Sequence, residues 1–336
     1  MKKLRVFQTV NHKKIVPGGS LRNLGTVFLL FLIIPYLITF LFGNLREGKS
    51  SETASTSVID SGNLEGSIYV CNVTALGNES VPLEIYVADR LSRSMDEDFE
   101  IEALKAQAVL IRSGLLAADE NWKNRKKIYV EDKEYGNSRI PERIWQAVSE
   151  TAGVCLLWEE KIVSGAYFTV SNGATRNGEE LSLTDYPYLK SVACDRDFLS
   201  EDYISYVSYE EDEFEKIWQQ IPELSLSEEE SRKKEEMEPE TMLERLTVYR
   251  DSAGYVLYLE ADGRCVAGEE FRNAFLLPSS SFQAEKEKTQ ILFTVKGAGH
   301  GLGMSQFGAN ELAKDEEDYV DILKYFFQDV TITKIE

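Results

Sequence analysis

Two stretches of the chain carry residue types that could do chemistry, and the first is a glycine loop. Residues 297–310 read GAGHGLGMSQFGAN, with a glycine at every second position around His300. Glycine lets a backbone adopt conformations closed to other residues and approach a ligand closely. Ser305 and Gln306 stand where a helix is predicted to begin, so backbone N–H groups there could bind ligand oxygens. His300 would then form a polar wall of a cleft, or else donate to a buried carbonyl and fix the loop.

The second stretch is a carboxylate cluster in front of an amphipathic segment. Asp96, Glu97 and Asp98 precede residues 101–115, where apolar residues recur at spacings of three and four. That spacing predicts a helix, whose positive end the carboxylates would complement. We therefore interpret the cluster as a helix start rather than as an acid–base site. Three polar residues of this helix are candidates for a position near a cleft, and the last of them could instead pair with a carboxylate: Lys105, Gln107 and Arg112.

Short helices and strands must position these residues. Strands are predicted over 64–76, VCLLW and KIVSGAYFTV, and helices over 82–92 and 141–151. Ser208 with Glu211 fits a capping box before EFEKIWQQI, and strands near 244–250 and 255–260 form a hairpin. After the glycine loop come a helix from about Ser305, a helix at YVDILKYFF and a strand at VTITKI. Mixed elements without βαβ regularity predict an α+β fold.

The N-terminal part predicts a membrane anchor. Residues 1–23 form a tail with six Lys or Arg and no acidic residue, and residues 24–43 are uncharged, which is the length of a membrane-spanning helix. By the positive-inside rule the tail is cytoplasmic and the rest extracytoplasmic. A cleaved signal peptide is the alternative, although no A-x-A site follows. Residues 44–63 read as a linker, 64–336 as one extracytoplasmic domain, and 225–240 as a charged insertion within it.

Charge and cysteine content restrict the partners and the metals. The chain carries a net charge of −20, and the part after the tail holds 31 basic and 57 acidic groups. Such a domain should not bind nucleic acid or anionic lipid by charge, so a ligand must be held locally in a cleft. Four cysteines, none in a CxxC pair, could form two disulfides outside the membrane or remain buried thiols: Cys71, Cys155, Cys194 and Cys265.

Three stretches together resemble one family. They are LEIYVADRL…IEALKAQAVLIRS, GEEFRNAFLLPSSSF at 268–282 and the glycine loop, with PYLKSV at 187–192 as a weaker fourth. In this order they resemble the stage II sporulation protein D family, the SpoIID/LytB domain, over about 65–335. The resemblance implies a membrane-anchored lytic transglycosylase that acts on peptidoglycan glycan strands during engulfment of the forespore, with a peptidoglycan hydrolase and other engulfment proteins as partners. It implies no cofactor.

The chain departs from the family at the catalytic residue. A family glutamate, just before Met-Pro, protonates the glycosidic oxygen; an ungapped alignment places Ser94 there, followed by Met95 and Asp96. A serine hydroxyl cannot act as a general acid near neutrality. Three alternatives follow: a non-catalytic glycan binder or scaffold, a substitute acid among Asp96, Glu97 and Asp98, or a local misalignment or an acid from elsewhere. A vegetative role like that of amidase-modifying relatives is a further alternative.

The resemblance also bears on binding and metal. It places His300 in the glycan cleft, together with Ser305 and Gln306, and it does not favour a general acid role for His300. The loop SNGATRNGEE lacks the family's initial histidine, but Ser171 and Asn172 keep its small polar character. Some family members carry zinc ligands after the first helix; here residues 119–170 hold no histidine and one cysteine, so we expect no metal.

Overall fold

The computed structural model describes residues 68–74, 77–119, 121–136, 139–224 and 242–335. The predicted tail, anchor and linker over residues 1–63 and the charged insertion at 225–240 lie outside the described residues. Within the described ranges, no helix has the length and apolar character needed to cross a membrane.

The elements are short and mixed, as an α+β fold requires. The helices are α1 Leu83–Ser94, α2 Ile101–Ala117, α3 Trp122–Arg125, α4 Glu142–Glu150, α5 Glu211–Gln220, α6 Met242–Arg245, α7 Gly268–Ala274, α8 Gln306–Lys314 and α9 Tyr319–Phe326. The strands are β1 Tyr69–Thr74, β2 Gly77–Pro82, β3 Lys127–Val130, β4 Val154–Trp158, β5 Lys161–Ile162, β6 Tyr167–Phe168 and β7 Ile204–Glu210. They continue as β8 Thr247–Arg250, β9 Val256–Ala261, β10 Arg264–Ala267, β11 Phe282–Glu287, β12 Gln290–Lys296, β13 Met304–Ser305 and β14 Thr331–Lys334.

A helical core surrounds α2, which is buried along most of its length. Helices α1, α4, α8 and α9 and the small sheet β14-β4-β5 pack on α2, and the sheet β2-β1-β3 packs on α1. Leu104, Leu110 and Val109 of α2 are almost completely buried and meet Leu91 and Phe326 from the neighbouring helices. Burial of these apolar side chains fixes the end of α1 against the start of α2.

A second, aromatic core lies under the antiparallel sheets β10-β9-β8 and β11-β12-β7. Phe214 of α5 stacks on Phe275 and Phe293, with ring centroids 4.9 Å and 6.2 Å away. Phe271 of α7 lies 4.4 Å from Phe275. Close aromatic pairs of this kind add to the area that they bury, so the core is stable with few residues.

A two-stranded parallel pair, β6 with β13, joins the middle of the chain to the glycine loop. Tyr167 pairs with Met304 and Phe168 with Ser305. An isolated bridge between Val170 and Ala298 continues this contact on the other side of the loop. The glycine loop therefore lies beside the segment that follows β6.

Two local predictions are wrong. Ser208 lies inside β7, whose residues alternate between exposed and half-buried and pair with β12, while α5 is preceded by Glu210 without a side-chain cap. The strand pattern therefore dominates over the capping-box spacing. The stretch 161–170 forms two short strands and not one, because its two parts pair with different partners: β5 pairs with β4, and β6 pairs with β13.

Candidate functional site

The end of α1 meets the start of α8, and this contact brings three predicted site residues together. Nε2 of Gln306 donates to the backbone oxygen of Ser94 at 2.7 Å and lies 3.3 Å from Oε1 of Gln107. Gln107 is completely buried, and Gln306 is nearly so. Within the described ranges Nε2 of Gln107 has no hydrogen-bond partner. The three residues form one polar contact inside the helical core.

Ser94 is the last residue of α1 and is half-buried. Its hydroxyl donates at 3.4 Å to the carbonyl of Leu91, one turn earlier in the same helix. Among the described residues this is the only hydrogen bond of the hydroxyl, and no carboxylate accepts from it. Ser94 is therefore placed beside the α8 start but carries no group that titrates near neutrality.

The acidic cluster lies in the turn between α1 and α2. Asp96, Glu97 and Asp98 are all exposed, and Oδ1 of Asp96 accepts from the backbone N–H of Asp98 at 3.0 Å. The residue before α2 is Glu100, which makes no side-chain cap. The cluster thus forms a solvent-exposed turn close to the positive end of α2 and does not cap it through a side chain.

The glycine loop has positive φ at all four alternating glycines, which are Gly297, Gly299, Gly301 and Gly303. At Gly303, with φ of 74°, an added Cβ would lie 2.1 Å from the carbonyl oxygen of Ala166. The sequence needs glycine there for both conformation and space. The loop is consequently held against the segment before β6.

His300 is bonded and packed against residues of the glycine loop and of β6. Its Nδ1 accepts from the backbone N–H of Leu302 at 3.1 Å, its ring packs 5.7 Å from Phe168, and it also bonds to the backbone of Tyr167. Burial lowers its pKa below the usual value, which keeps the imidazole neutral at neutral pH. Fixing the loop, which was one of the two predicted roles, is thus visible in its contacts.

Asp197 is a buried residue that sequence reasoning missed. Its Oδ2 accepts from the backbone N–H of Ser171 and from Oγ of Ser305, both at 2.7 Å. Oγ of Ser305 also accepts from Gly308 N–H as the N-cap of α8. Burial raises the pKa of Asp197, although the bonds from Ser171 and Ser305 oppose that shift. No spacing distinguishes this aspartate from the other acids of the sequence, because its partners come from distant segments.

Three other residues that were predicted to contact a ligand are bonded to residues of the protein itself. Nδ2 of Asn172 donates to the carbonyl of Ala253 and to Oγ of Ser281. Lys105 pairs with Glu102 and Glu150 at 2.7 Å and 2.6 Å. Arg112 is completely buried and donates to Glu84 and to the Val154 carbonyl. Of its two predicted roles, pairing with a carboxylate is therefore the one that the structure shows.

A cavity of about 700 Å³, which we call the α1–α2 cavity, opens along these two helices. Arg90 lines it one helical turn before Ser94, a rise of about 6 Å. Tyr167 of β6, which bonds His300, forms another wall. Asp132 also lines the cavity; burial opposes its ionisation, but bonds from Arg93 and Tyr86 outweigh this and hold its pKa below the usual range. The cavity wall therefore combines apolar side chains with charged groups of both signs.

The described part of the chain contains neither a group of metal ligands nor a disulfide. Among the residues that the structure describes, no three His, Cys, Asp or Glu side chains are grouped to hold a metal ion. The four cysteines are thiols and are not joined as disulfides. Burial raises the pKa of the Cys155 thiol to about 11 and that of Cys194 to about 12, so both stay protonated.

Sequence comparison shows which known proteins the chain is similar to. A sequence model described as "Stage II sporulation protein" matches residues 74–158, which include α1, α2 and β4. The chain is 30% identical over 278 residues to stage II sporulation protein D of Bacillus amyloliquefaciens, which covers 77% of this chain and 76% of the relative. It is 28% identical over 344 residues to the protein of the same name from Bacillus subtilis (strain 168), covering 94% and 95%.

A shorter similarity links the chain to another protein. Sixty residues are 35% identical to the amidase enhancer of Bacillus subtilis (strain 168), covering 18% of this chain and 8% of that protein. The chain belongs to the stage II sporulation protein D family, a family of sporulation proteins.

Proposed function

We propose that this sporulation protein is anchored in the membrane by residues 24–43 and binds peptidoglycan glycan strands outside the cell without cleaving them. The observation that carries the proposal is the position of Ser94. It ends α1 beside Gln306, one turn from the α1–α2 cavity, and its hydroxyl bonds only to Leu91 among the described residues. A transglycosylase needs a carboxylic acid to protonate the glycosidic oxygen, and serine cannot supply that proton.

The α1–α2 cavity supports glycan as the ligand. Its volume of about 700 Å³ accommodates sugar units, and Tyr129 and Tyr167 offer apolar ring faces beside the polar groups Arg90 and Asp132. Sugars combine apolar ring faces with hydroxyl groups, so this mixture suits them. The other engulfment proteins, including a peptidoglycan hydrolase, are the proposed protein partners.

The alternative is that a substitute acid makes the protein a transglycosylase. Asp96, Glu97 and Asp98 are the candidates, and their exposed turn follows Ser94 directly. None of them makes a described bond to Ser94, Gln306 or His300. The alternative requires one of these side chains to come within hydrogen-bond reach of the glycosidic oxygen when the glycan is bound.

The deciding experiment restores the acid. The full-length chain in detergent, its Ser94→Glu variant and a Ser94→Gln variant are incubated with denuded and with peptide-bearing peptidoglycan. Mass spectrometry then detects anhydro-muramyl ends. We expect cleavage from Ser94→Glu alone, at a rate at least about 100-fold above the other two proteins. The glutamine variant is the matched control, because it has nearly the size of glutamate without its acidity.

Two results would contradict the proposal. Cleavage by the wild-type chain would show that another carboxylate is catalytic, and Asp96, Glu97 and Asp98 would then be changed one at a time. Failure of the wild-type chain to bind either form of peptidoglycan would remove the glycan as ligand.

A second candidate function is modulation of a wall amidase, which the 60-residue similarity to the amidase enhancer favours. The test adds the full-length chain to peptidoglycan digested by a purified amidase. A rise in the rate of peptide release would support this role, and an unchanged rate would reject it.

A further inference from the structure

A second polar cavity lies between the β8–β9 hairpin and the β11–β12 pair. It has a volume of about 330 Å³, and it shares no lining residue with the α1–α2 cavity. Its polar walls come from Arg250, Lys296, Gln283, Thr294 and Asn172. We call it the Arg250 cavity. None of its contacts is used by the arrangement around Ser94.

Arg250 is held rigidly at the wall of this cavity. Its Nη1 donates to the carbonyl of Gly254 at 3.0 Å and its Nη2 to that of Phe282 at 2.6 Å. The guanidinium also lies 5.9 Å from the centroid of the Phe282 ring. A guanidinium carries five N–H donors, so two bonds leave a preorganised set for a ligand.

The charge balance of the Arg250 cavity is unusual for this protein. Acidic residues outnumber basic ones in the chain by 57 to 37, yet neither Arg250 nor Lys296 forms an ion pair among the described residues. The negative charge of Asp251 attracts Arg250, but this carboxylate is already bonded to Arg176 and to the Tyr255 N–H. Both cations are exposed at the cavity wall, where they would attract an anion.

The floor of the cavity is polar and fixed. Nδ2 of Asn172 donates to the Ala253 carbonyl at 2.8 Å and to Oγ of Ser281 at 2.9 Å. Gln283 and Thr294 are directly paired across β11 and β12, so their side chains lie on the same face. An amide and a hydroxyl side by side can bond the polar groups next to a bound carboxylate.

We propose that the Arg250 cavity binds a carboxylate-bearing unit of the cell wall. Arg250 and Lys296 hold the carboxylate, and Gln283 and Thr294 bond the neighbouring polar groups. The choice of the wall as source rests on the proposed function, whereas the carboxylate chemistry does not. The carboxylate has two sources: the lactyl group of muramic acid in strands without peptides, or the C-terminus of a stem peptide.

The test measures binding of four probes to the full-length chain in detergent by titration calorimetry. The probes are N-acetylmuramic acid with its methyl ester, and N-acetyl-D-alanyl-D-alanine with its C-terminal amide. We expect at least one acid to bind about tenfold more tightly than its uncharged partner, because a charge-assisted hydrogen bond is worth at least that factor. A preference confined to the sugar acid assigns the lactyl group, and one confined to the peptide assigns the stem.

Three variants test whether the preference for an acid over its uncharged partner arises in the Arg250 cavity. Arg250→Gln and Lys296→Gln should each remove most of it, and Lys324→Gln, an exposed lysine on α9, should keep it. Lys296 is exposed, so its variant tests the proposal even if Arg250→Gln fails to fold. Equal binding of acids and uncharged partners by the wild-type chain, or a preference that survives both variants, would overturn the proposal.

An uncharged ligand separates this proposal from the proposed function. Chitotetraose has no carboxylate and should bind the wild-type chain and both Arg250-cavity variants equally. If the wild-type chain binds chitotetraose but does not prefer either acid over its uncharged partner, only the Arg250 cavity proposal is overturned. Loss of chitotetraose binding with a retained acid preference would count against the α1–α2 cavity and support the Arg250 cavity.

Discussion

At the scale of single residues, burial decides which polar side chains near the glycine loop can still reach a ligand. Ser171 and Ser305 are completely buried and both donate to Asp197, one through its backbone and one through its hydroxyl. Oδ1 of Asp197 has no partner within the described part of the chain. Asp197 therefore positions the two serines and has one oxygen whose desolvation is not compensated.

Replacement of Asp197 by asparagine should change how stability depends on pH. Asn offers a carbonyl oxygen to Ser171 and Ser305 but cannot ionise. Because the folded state raises the pKa of Asp197, the wild-type protein loses stability as the pH rises from about 4 through the folded-state pKa. We expect the free energy of unfolding of Asp197→Asn, relative to wild type, to increase over that range. Urea denaturation at several pH values measures it.

An exposed aspartate supplies the control for this experiment. Asp329→Asn, which changes a surface residue, should show a difference from wild type that varies little with pH. If the difference for Asp197→Asn is also independent of pH, Asp197 is not protonated more readily in the folded state than in the unfolded chain.

The candidate site could be predicted only in part, for reasons visible at single residues. The sequence predicts site positions for Ser94 from the family alignment, for Gln107 from its helix and for Gln306 from the glycine loop, and the structure brings the three into contact. Asp197 and Arg90 were not selected. Arg90 lies within the family stretch LEIYVADRL, but its place in a cavity wall, like the bond of Asp197 to Ser305, depends on contacts between segments far apart in sequence.

At the scale of elements, the glycine loop is the segment whose sequence most directly dictates its structure. Between β12 and α8 it passes within van der Waals distance of Ala166, Phe168 and Tyr255. A Cβ at Gly301 would lie 2.7 Å from the Tyr255 ring, and one at Gly303 closer still to the Ala166 carbonyl. These positions require glycine for space as well as for a positive φ.

Gly303→Ala should therefore cost much more stability than a glycine change that meets only the conformational requirement. Gly263, in the turn between β9 and β10, has φ of 80°, and no atom of the described residues lies within 4 Å of an added Cβ. We expect Gly263→Ala to lower the free energy of unfolding by about 1 kcal/mol. Gly303→Ala should lower it by about 3 kcal/mol, because overpacking adds to the strain. Equal losses in thermal denaturation would show that the Ala166 contact relaxes easily.

The helices were easier to predict than the strands for a physical reason. Apolar spacing within 101–115 is a local signal, and α2 extends over Ile101–Ala117. A strand depends on its partner: Ser208 reads as a helix cap in isolation but lies opposite Leu292 in β12. The short strands β6 and β13 exist because distant segments pair, and no local pattern could predict that.

At the scale of the whole described domain, the glycine loop and its neighbours connect the helical core to the aromatic core. Asp197 bonds the start of α8, which belongs to the helical core. Arg176 bonds the carbonyl of Gly301 through its backbone and reaches Asp251 and Glu269 through its side chain. The loop is thus tied to both cores by hydrogen bonds and ion pairs.

Arg176→Met should weaken the connection between the glycine loop and the aromatic core and lower the free energy of unfolding. Arg176 and Asp251 are nearly completely buried, and their Nε to Oδ2 distance is 2.6 Å. Removing one partner of such a pair leaves a buried charge uncompensated and costs about 3–5 kcal/mol. Asp251→Asn retains the bond from the Tyr255 N–H and should restore part of that loss when combined with Arg176→Met. A double-mutant cycle in urea measures the coupling.

The size of the coupling discriminates between two roles of Arg176. If the ion pair joins the loop to the aromatic core, the cycle gives a coupling of about 2 kcal/mol or more, since contacting charged residues are strongly non-additive. If the 5.2 Å contact of Arg176 with the Tyr255 ring dominates, the coupling with Asp251 falls near zero. In that case packing of the aliphatic part of Arg176, which methionine largely retains, would hold the two cores together and Arg176→Met alone would be mild.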